Sequence, residues 1–165
     1  MRDLAEMGAK AGALLKARGE RVVVAESSAG GLISAALLAV PGASRYFACG
    51  AVLYTARALK GLLDVSRDEI ANLGMRSSSE PYALFLANRM RERHRVDWAL
   101  AETGAAGPTG NSYGDPAGHT CLAVVSATVT QARTLRTECA DRVENMWTFA
   151  DAALALLVSA LETVR

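Results

Sequence analysis

Apolar and polar residues alternate along the first half of the chain in patterns that predict helices and strands in turn. Residues 4–15 place apolar side chains at helical spacing, and Gly19 follows as a stop. Residues 22–24 form an uninterrupted apolar run, which is typical of a strand that is covered on both faces. Residues 31–40 predict a buried helix that ends before Pro41. A second strand is expected from Tyr46.

The middle of the chain continues this alternation. Ser66 and Glu69, three positions apart, predict a capping box at the start of a short helix. A longer helix is expected over residues 81–93, because proline is favoured in a first helical turn. Residues 98–103 read WALAET and predict a third strand, which leads into a glycine-rich segment.

The last third of the chain predicts a pair of strands and one long helix. Residues 119–127 and 132–140 are expected to be strands paired as a hairpin, and the final helix is expected from about Val143. The order of elements predicts a three-layer α/β/α fold with a mixed, mostly parallel sheet. With 165 residues, the chain is expected to form a single domain over residues 1–165.

The composition of the chain predicts a globular protein without a signal peptide, a membrane span or a cysteine-based site. Apolar residues make up 51% and charged residues 21%, and the formal net charge is +1, so neither nucleic acid nor an anionic membrane is an expected partner. The first twenty residues lack the apolar centre of a signal peptide, and no stretch reaches the length expected of a membrane span. Three widely spaced cysteines predict neither a zinc site nor a disulfide framework. We therefore expect a cytoplasmic protein.

Two segments could hold chemistry, since each follows a predicted strand and is rich in glycine. Residues 25–31 read AESSAGG, and residues 104–118 form the longest irregular segment. In open α/β sheets, ligands bind at the carboxyl ends of strands, where helix N-termini favour anions. However, serine is also a favoured helix cap, and neither segment is a GxSxG elbow or a P-loop. Spacing alone therefore leaves a cap as the stronger interpretation.

Seven segments of the chain match one family pattern in order. AESSAGG, then PGAS, then the segment ending in Tyr54 are similar to A-E-S-C-T-G-G, P-G-[SA]-S and G-x-V-x-Y in the C-terminal domain of the competence/damage-inducible protein CinA. SSSEPYA, TGAAGPTG, DPAGH and ADR are similar to the family's V-S-E-P, T/S-G-I-A-G-P-x-G, P-V-G-T and G-D-R. The resemblance covers nearly the whole chain. That domain also occurs alone, as the bacterial nicotinamide-nucleotide amidohydrolase.

The resemblance implies a function and a set of site residues. It implies hydrolysis of nicotinamide mononucleotide to nicotinate mononucleotide and ammonia, with no metal or cofactor, by a homodimer whose partner is this small nucleotide. The family's serine nucleophile falls on Ser27, and Tyr54 and Thr103 fall on two further catalytic positions. The candidate substrate-binding residues are Gly30, Gly31, Gly104, Ala106, Gly107, Gly110 and Arg142, which match the pattern, together with Ser28 and Arg57, which do not.

The chain departs from the family at the general base. The family continues after its tyrosine as S-N-x-x-K, with the lysine as the apparent base, but Leu59 occupies that position and Lys60 comes one residue late. One helical residue turns a side chain by roughly 100°, so Lys60 could act only if the local backbone is distorted or its flexible stem swings back. His119, where the family has threonine, is the other candidate base, although a lone histidine at a strand start is more often structural. Arg57 is too basic to accept a proton and suits an anion clamp.

Two hypotheses of different classes stay open at this point. The first is a CinA-type amidohydrolase in which Ser27 attacks the carboxamide and Lys60 or His119 replaces the missing lysine. The second is a nucleotide-binding module that is catalytically inactive or has changed its substrate. Glu26 is expected to support the site or to pair with Arg142.

Overall fold

The computed structural model describes residues 4–164, which form helices and strands in the predicted alternation. A 3₁₀ turn at Ala43–Arg45 separates the second helix from the second strand. The elements in chain order are α1 Leu4–Arg18, β1 Val22–Glu26, α2 Leu32–Leu38, β2 Phe47–Val52, α3 Ala56–Leu63, α4 Arg67–Asn72, α5 Glu80–His94, β3 Trp98–Ala105, β4 His119–Val125, β5 Thr130–Arg136 and α6 Arg142–Thr163.

The five described strands form one mixed sheet in the order β2-β1-β3-β4-β5. β1 is parallel to both β2 and β3, whereas β4 is antiparallel to β3 and to β5. Four of these strands therefore point the same way, and β4 alone runs against them. The prediction of a mixed, mostly parallel sheet is confirmed, as is the β4–β5 hairpin.

Helices cover both faces of the sheet, and β1 shows how the sequence specifies this. Val22 and Val24 belong to the cluster beneath α1, α2 and α6, while Val23 and Ala25 belong to the cluster beneath α3, α4 and α5. Every residue of β1 is buried. An uninterrupted apolar run is what a strand covered on both faces requires.

Predicted helix boundaries differ from the structure where glycines or caps decide them. α2 begins at Leu32 because Gly31 has φ of 99°, which is outside the helical region. Ser66 caps α4 by accepting the Glu69 N–H at 3.1 Å, as predicted. Ser79 caps α5, so that helix begins one residue before Pro81.

α6 corrects the expectation about membrane-length segments. Its 22 residues include a window of mean hydropathy 1.3, so by length and composition this helix could cross a membrane. However, 56% of that window is buried inside the protein, where the helix packs on α1, α2 and the sheet. Its apolar stripe is therefore explained by contacts within the fold.

α3 contains both Leu59, at the family's lysine position, and Lys60, one residue later. Thr55 caps its first turn by accepting the Ala58 N–H at 3.1 Å, and Asp64 ends it with φ of 56°. Leu59 and Leu63, four residues apart, are both buried against the sheet. The opposite face of the helix is left in solvent.

Candidate active site

The carboxyl ends of three neighbouring strands meet at one edge of the sheet. β1 runs parallel to β2 and β3, and Glu26 at the end of β1 pairs with Val52 at the end of β2. Ser27 follows β1 directly, Tyr54 follows β2 by two residues, and Thr103 lies near the end of β3. The two glycine-rich segments predicted to follow strands therefore share this edge.

A buried carboxylate holds the turn that contains Ser27. The Glu102 side chain, on β3, is 0% exposed. Its Oε2 accepts the backbone N–H groups of Ser27 at 3.0 Å and Ala29 at 2.8 Å, and its Oε1 accepts the hydroxyls of Ser28 and of Thr120 at 3.0 Å. Burial raises the pKa of Glu102, while these four hydrogen bonds oppose the rise. The turn is thus anchored from inside the protein.

A second buried carboxylate occupies the N-terminus of α2. Glu26 accepts hydrogen bonds from the N–H groups of Gly31 and Ile33, each at 3.0 Å. It also accepts the N–H of Ser34 at 2.8 Å and the hydroxyl of Ser34 at 2.5 Å. These N–H groups are therefore not free to bind an oxyanion or a phosphate, contrary to the sequence-based expectation. The expected pairing of Glu26 with Arg142 does not form.

The two serines of AESSAGG point to different environments. Ser27 is half-buried, and its hydroxyl makes no hydrogen bond within residues 4–164. Ser28 is buried and its hydroxyl donates to Glu102, so it faces the core rather than a ligand. Gly30 has φ of 66°, and a Cβ atom there would lie 2.7 Å from Met146 Cε. Only the Ser27 hydroxyl is thus placed to react.

Arg142 links the end of β2 to the glycine-rich loop. Its Nη1 donates to the Gly107 carbonyl at 2.6 Å and its Nη2 donates to the Tyr54 hydroxyl at 2.9 Å. The guanidinium also lies 6.0 Å from the centre of the Tyr54 ring. Both side chains are exposed, so the remaining guanidinium N–H groups can bind an anion.

The other predicted residues of the glycine-rich loop are structural in this conformation. A Cβ atom on Gly104 would collide with a backbone carbonyl of β4, and one on Gly110 would collide with the carbonyl of Asp115. The Ala106 carbonyl accepts a hydrogen bond at 2.7 Å from Asn145, a fully buried side chain on α6. Close backbone approach explains both glycines.

His119 and Thr103 meet at Ser78, before α5. His119 Nε2 lies 2.9 Å from the Ser78 carbonyl and 3.6 Å from Asp115 Oδ1, while its buried Nδ1 has no partner among the described residues. The Thr103 hydroxyl accepts the Ser78 N–H at 3.3 Å. A ring nitrogen that donates to a carbonyl already carries its proton. His119 also forms no hydrogen bond with Ser27, so the geometry does not support it as the base.

Lys60 and Arg57 lie on the exposed face of α3. Lys60 forms an ion pair with Asp64, and both side chains are mostly in solvent. Arg57 is exposed. Leu59 is 3% exposed and packs in the cluster beneath α3. The helix is regular, so the one-residue shift turns Lys60 away from the position that Leu59 fills, and Lys60 as the base is not supported.

An ion pair fixes the far end of the glycine-rich loop. Arg76 donates to Asp115 through two nitrogens, at 2.6 and 3.0 Å, and Asn111 adds a third hydrogen bond at 2.9 Å. Asp115 is buried, and the Arg76 guanidinium holds the pKa of this carboxyl below its usual range. This paired fork fastens the loop to the segment before α5.

Sequence reasoning missed Glu102 and the Arg76–Asp115 pair. A signal for Glu102 was present, since a glutamate inside the apolar run WALAET must be buried and needs hydrogen-bond donors. No comparable signal marked Asp115, whose partner is 39 residues away.

A cavity lies beside β5, and the predicted site residues are not part of it. It has a volume of about 440 Å³ and lies between β5 and the first turns of α6. Within the described part of the chain, no cluster of His, Cys, Asp or Glu could hold a metal ion.

Comparison with known proteins assigns the family. The profile of the CinA C-terminal domain matches residues 4–161. The chain belongs to the CinA family. CinA-like proteins from Anaeromyxobacter sp. and Chlorobium phaeobacteroides are 40% and 36% identical over 158 and 157 residues. These matches cover 94% and 92% of this chain but only 37% of each relative.

Solved CinA structures share the fold along their whole length. The competence damage-inducible protein A from Klebsiella pneumoniae superposes with a TM-score of 0.88 at 26% identity, covering 99% of this chain and 100% of that one. The competence/damage inducible protein from Agrobacterium tumefaciens gives 0.86 at 31% identity, covering 98% and 97%. The resemblance read from the motifs is thereby confirmed at the level of family and fold.

Proposed function

We propose that this CinA-family protein hydrolyses the carboxamide of a nucleotide such as nicotinamide mononucleotide, with Ser27 as the nucleophile. The observation that carries this proposal is the placement of Ser27. Its hydroxyl is half-exposed and unbonded at the shared edge of the sheet, while its backbone is fixed by Glu102. A nucleophile needs both access and a fixed backbone.

The phosphate of such a substrate belongs at Arg142 rather than at α2. Glu26 occupies the first N–H groups of α2, and its charge disfavours a second anion there. Arg142 is the first residue of α6, and it bonds to both the glycine-rich loop and Tyr54, so its remaining N–H groups can bind a phosphate between these two segments.

The proposed hydrolysis has two steps, transfer of the acyl group to Ser27 and hydrolysis of the resulting ester. The Ser27 oxygen attacks the carboxamide carbon, the carbon–nitrogen bond breaks, and ammonia leaves with the proton that Ser27 loses. Water then hydrolyses the ester to give the carboxylate. Tyr54 accepts a hydrogen bond from Arg142 and retains its own O–H to donate to the developing oxyanion. Neither Lys60 nor His119 forms a hydrogen bond with Ser27, so solvent relays the Ser27 proton to the departing nitrogen, and turnover is expected to be slow.

A second function is favoured by the position of Leu59. This side chain fills the family's lysine position and packs in the core, so the chain lacks the base that a serine hydroxyl requires. A nucleotide-binding module without catalysis, or a hydrolase of a different amide, would also fit this arrangement. Both share the Arg142 site with the first proposal.

The deciding experiment measures ammonia release from nicotinamide mononucleotide by the parent and by a Ser27→Ala variant. We expect slow release by the parent and none by Ser27→Ala. Nucleotide binding without ammonia release would favour the binding module, and release from other amides alone would favour a changed substrate. A Leu59→Lys variant, with Leu59→Met as its matched control for core packing, is expected to raise the rate if the missing lysine limits it.

A further inference from the structure

We propose that Glu102 is a positioning residue for Ser27. This inference rests on the proposed function, because it concerns how the nucleophile is held. Glu102 lies on β3, one strand away from the turn after β1 that it supports.

The contacts of Glu102 bracket the nucleophile on both sides. One oxygen, Oε2, accepts the N–H groups of Ser27 and Ala29, so the chain curls around the carboxylate over three residues. The Gly30 N–H closes the same turn by donating to the Ser27 carbonyl at 3.1 Å. With its amide held inward, Ser27 keeps its hydroxyl on the outer side of the turn.

The second oxygen of Glu102 ties this turn to a third strand. Oε1 accepts the hydroxyls of Ser28 and Thr120, and Thr120 belongs to β4. The turn after β1 is therefore fixed to both β3 and β4 through one side chain. Small displacements of a nucleophile cost catalysis heavily, so such an anchor matters for rate more than for binding.

Burying the Glu102 carboxyl group is costly, which argues for a role beyond packing. The side chain is completely buried, on the sheet face shared with Leu100 and Leu122. Among residues 4–164, none of its hydrogen-bond partners is a cation, and hydrogen bonds alone compensate for its burial. An apolar residue would fit the core at lower cost. Buried titratable groups with shifted pKa values cluster at functional sites, and Glu102 lies directly beneath the turn that carries Ser27.

Glu102 acts through Ser27 and not on the substrate. It accepts the Ser27 amide, makes no hydrogen bond to the Ser27 hydroxyl, and is closed off from solvent. Losing its contacts should lower kcat by letting the turn move, while KM, which depends on Arg142 and the glycine-rich loop, should change little.

The test compares Glu102→Gln with Glu102→Ala. Glutamine retains one oxygen for the two N–H groups, and the hydroxyls of Ser28 and Thr120 can rotate to accept from its amide nitrogen. We expect Glu102→Gln to retain kcat within about threefold and Glu102→Ala to lose about a hundredfold, with KM within about threefold in both. Leu154→Ala, a buried truncation in α6, is the matched control for lost stability.

Two readouts accompany the kinetics. The first is the rate at which a fluorophosphonate labels Ser27, and the second is hydrogen exchange at the Ser27 and Ala29 amides. We expect Glu102→Ala alone to slow labelling and to speed exchange at these two amides. Unchanged kcat in a folded Glu102→Ala variant of an active parent would overturn the proposal, as would an equal loss in Glu102→Gln.

The exchange measurement separates this inference from the proposed function. If the parent releases no ammonia, yet exchange at both amides rises only in Glu102→Ala, the proposed hydrolysis fails while Glu102 still positions the turn. If exchange is the same in the parent, Glu102→Ala and Leu154→Ala, the positioning role is wrong whether or not the parent is active.

Discussion

The ends of β1 and β3 lie side by side, yet they are held by opposite charges. After β1, backbone N–H groups turn inward to two buried carboxylates, Glu26 and Glu102. After β3, the loop offers its own oxygens, and two arginines, Arg76 and Arg142, bind them. The first region has already used its donors within the fold, whereas the second has donors at the surface that can still bind a ligand.

The two regions are therefore expected to contribute to different properties, the first to the stability of the fold and the second to the binding of a ligand. Glu26 and Glu102 are 1% and 0% exposed, so they are expected to govern folding and the geometry of the turn. Arg142 is exposed beside Tyr54, so it is expected to govern affinity for an anion. An anionic substrate should therefore lie toward the loop after β3, with its amide reaching back to Ser27.

The largest expected effect comes from removing the carboxylate that caps α2. Glu26→Ala leaves the N–H groups of Gly31, Ile33 and Ser34 without their acceptor, which should lower the free energy of unfolding by about 3 kcal/mol. Urea denaturation measures this change in the free energy of unfolding. Glu162→Ala, an exposed glutamate paired with Lys10, serves as the control and should not change the midpoint. A Glu26→Ala variant as stable as this control would contradict the view that the first region is closed by its carboxylates.

Arg142→Lys tests the second region. Lysine cannot bond to the Gly107 carbonyl, the Tyr54 hydroxyl and a phosphate together, so the Kd for nicotinamide mononucleotide should rise about tenfold, or about 1.4 kcal/mol. Calorimetry measures the affinity, and Arg67→Lys, an exposed arginine on α4, is the matched control. An unchanged Kd in Arg142→Lys would mean that positive charge alone, and not the Arg142 fork, attracts the nucleotide.

The sequence could predict the sheet and the shared edge, because apolar periodicity and glycines express them locally. The buried run at residues 22–24 and the capping serine Ser66 are read from neighbouring positions. The partners of the turn could not be read in this way. Glu102 is 75 residues from Ser27, and the pairing that joins them arises only when β1 and β3 become neighbours.

The side-chain directions of the two candidate bases, Lys60 and His119, also could not be predicted from the sequence. Composition and order place Lys60 and His119 near the motifs, but only helix phase and strand face decide where their side chains point. Lys60 lies on the solvent face of a regular helix, and His119 points toward Ser78. A prediction from sequence can identify residue types near a site, yet it does not fix the directions on which proton transfer depends.

A smaller effect is expected from the Arg76–Asp115 pair. The pKa of Asp115 is lowered by Arg76, so its stabilisation is present above the unfolded pKa of about 4 and is lost as pH falls through the folded pKa. Asp115→Asn should therefore cost about 1 kcal/mol at neutral pH, because Arg76 is partly exposed and screened. Urea denaturation should show the difference from the parent shrinking toward acid pH. A difference independent of pH would assign the effect to packing.

The smallest effect is expected on the outer face of α3. Lys60→Ala removes an ion pair whose side chains are 60% and 77% exposed, and such pairs contribute little to stability. We expect neither Tm nor the rate of ammonia release to change. Calorimetry and the ammonia assay measure these, with Lys10→Ala as a control from another exposed pair. A Lys60→Ala variant that keeps its Tm but loses ammonia release would mean that the lysine leaves Asp64 to reach Ser27, and proton transfer would then depend on movement of α3.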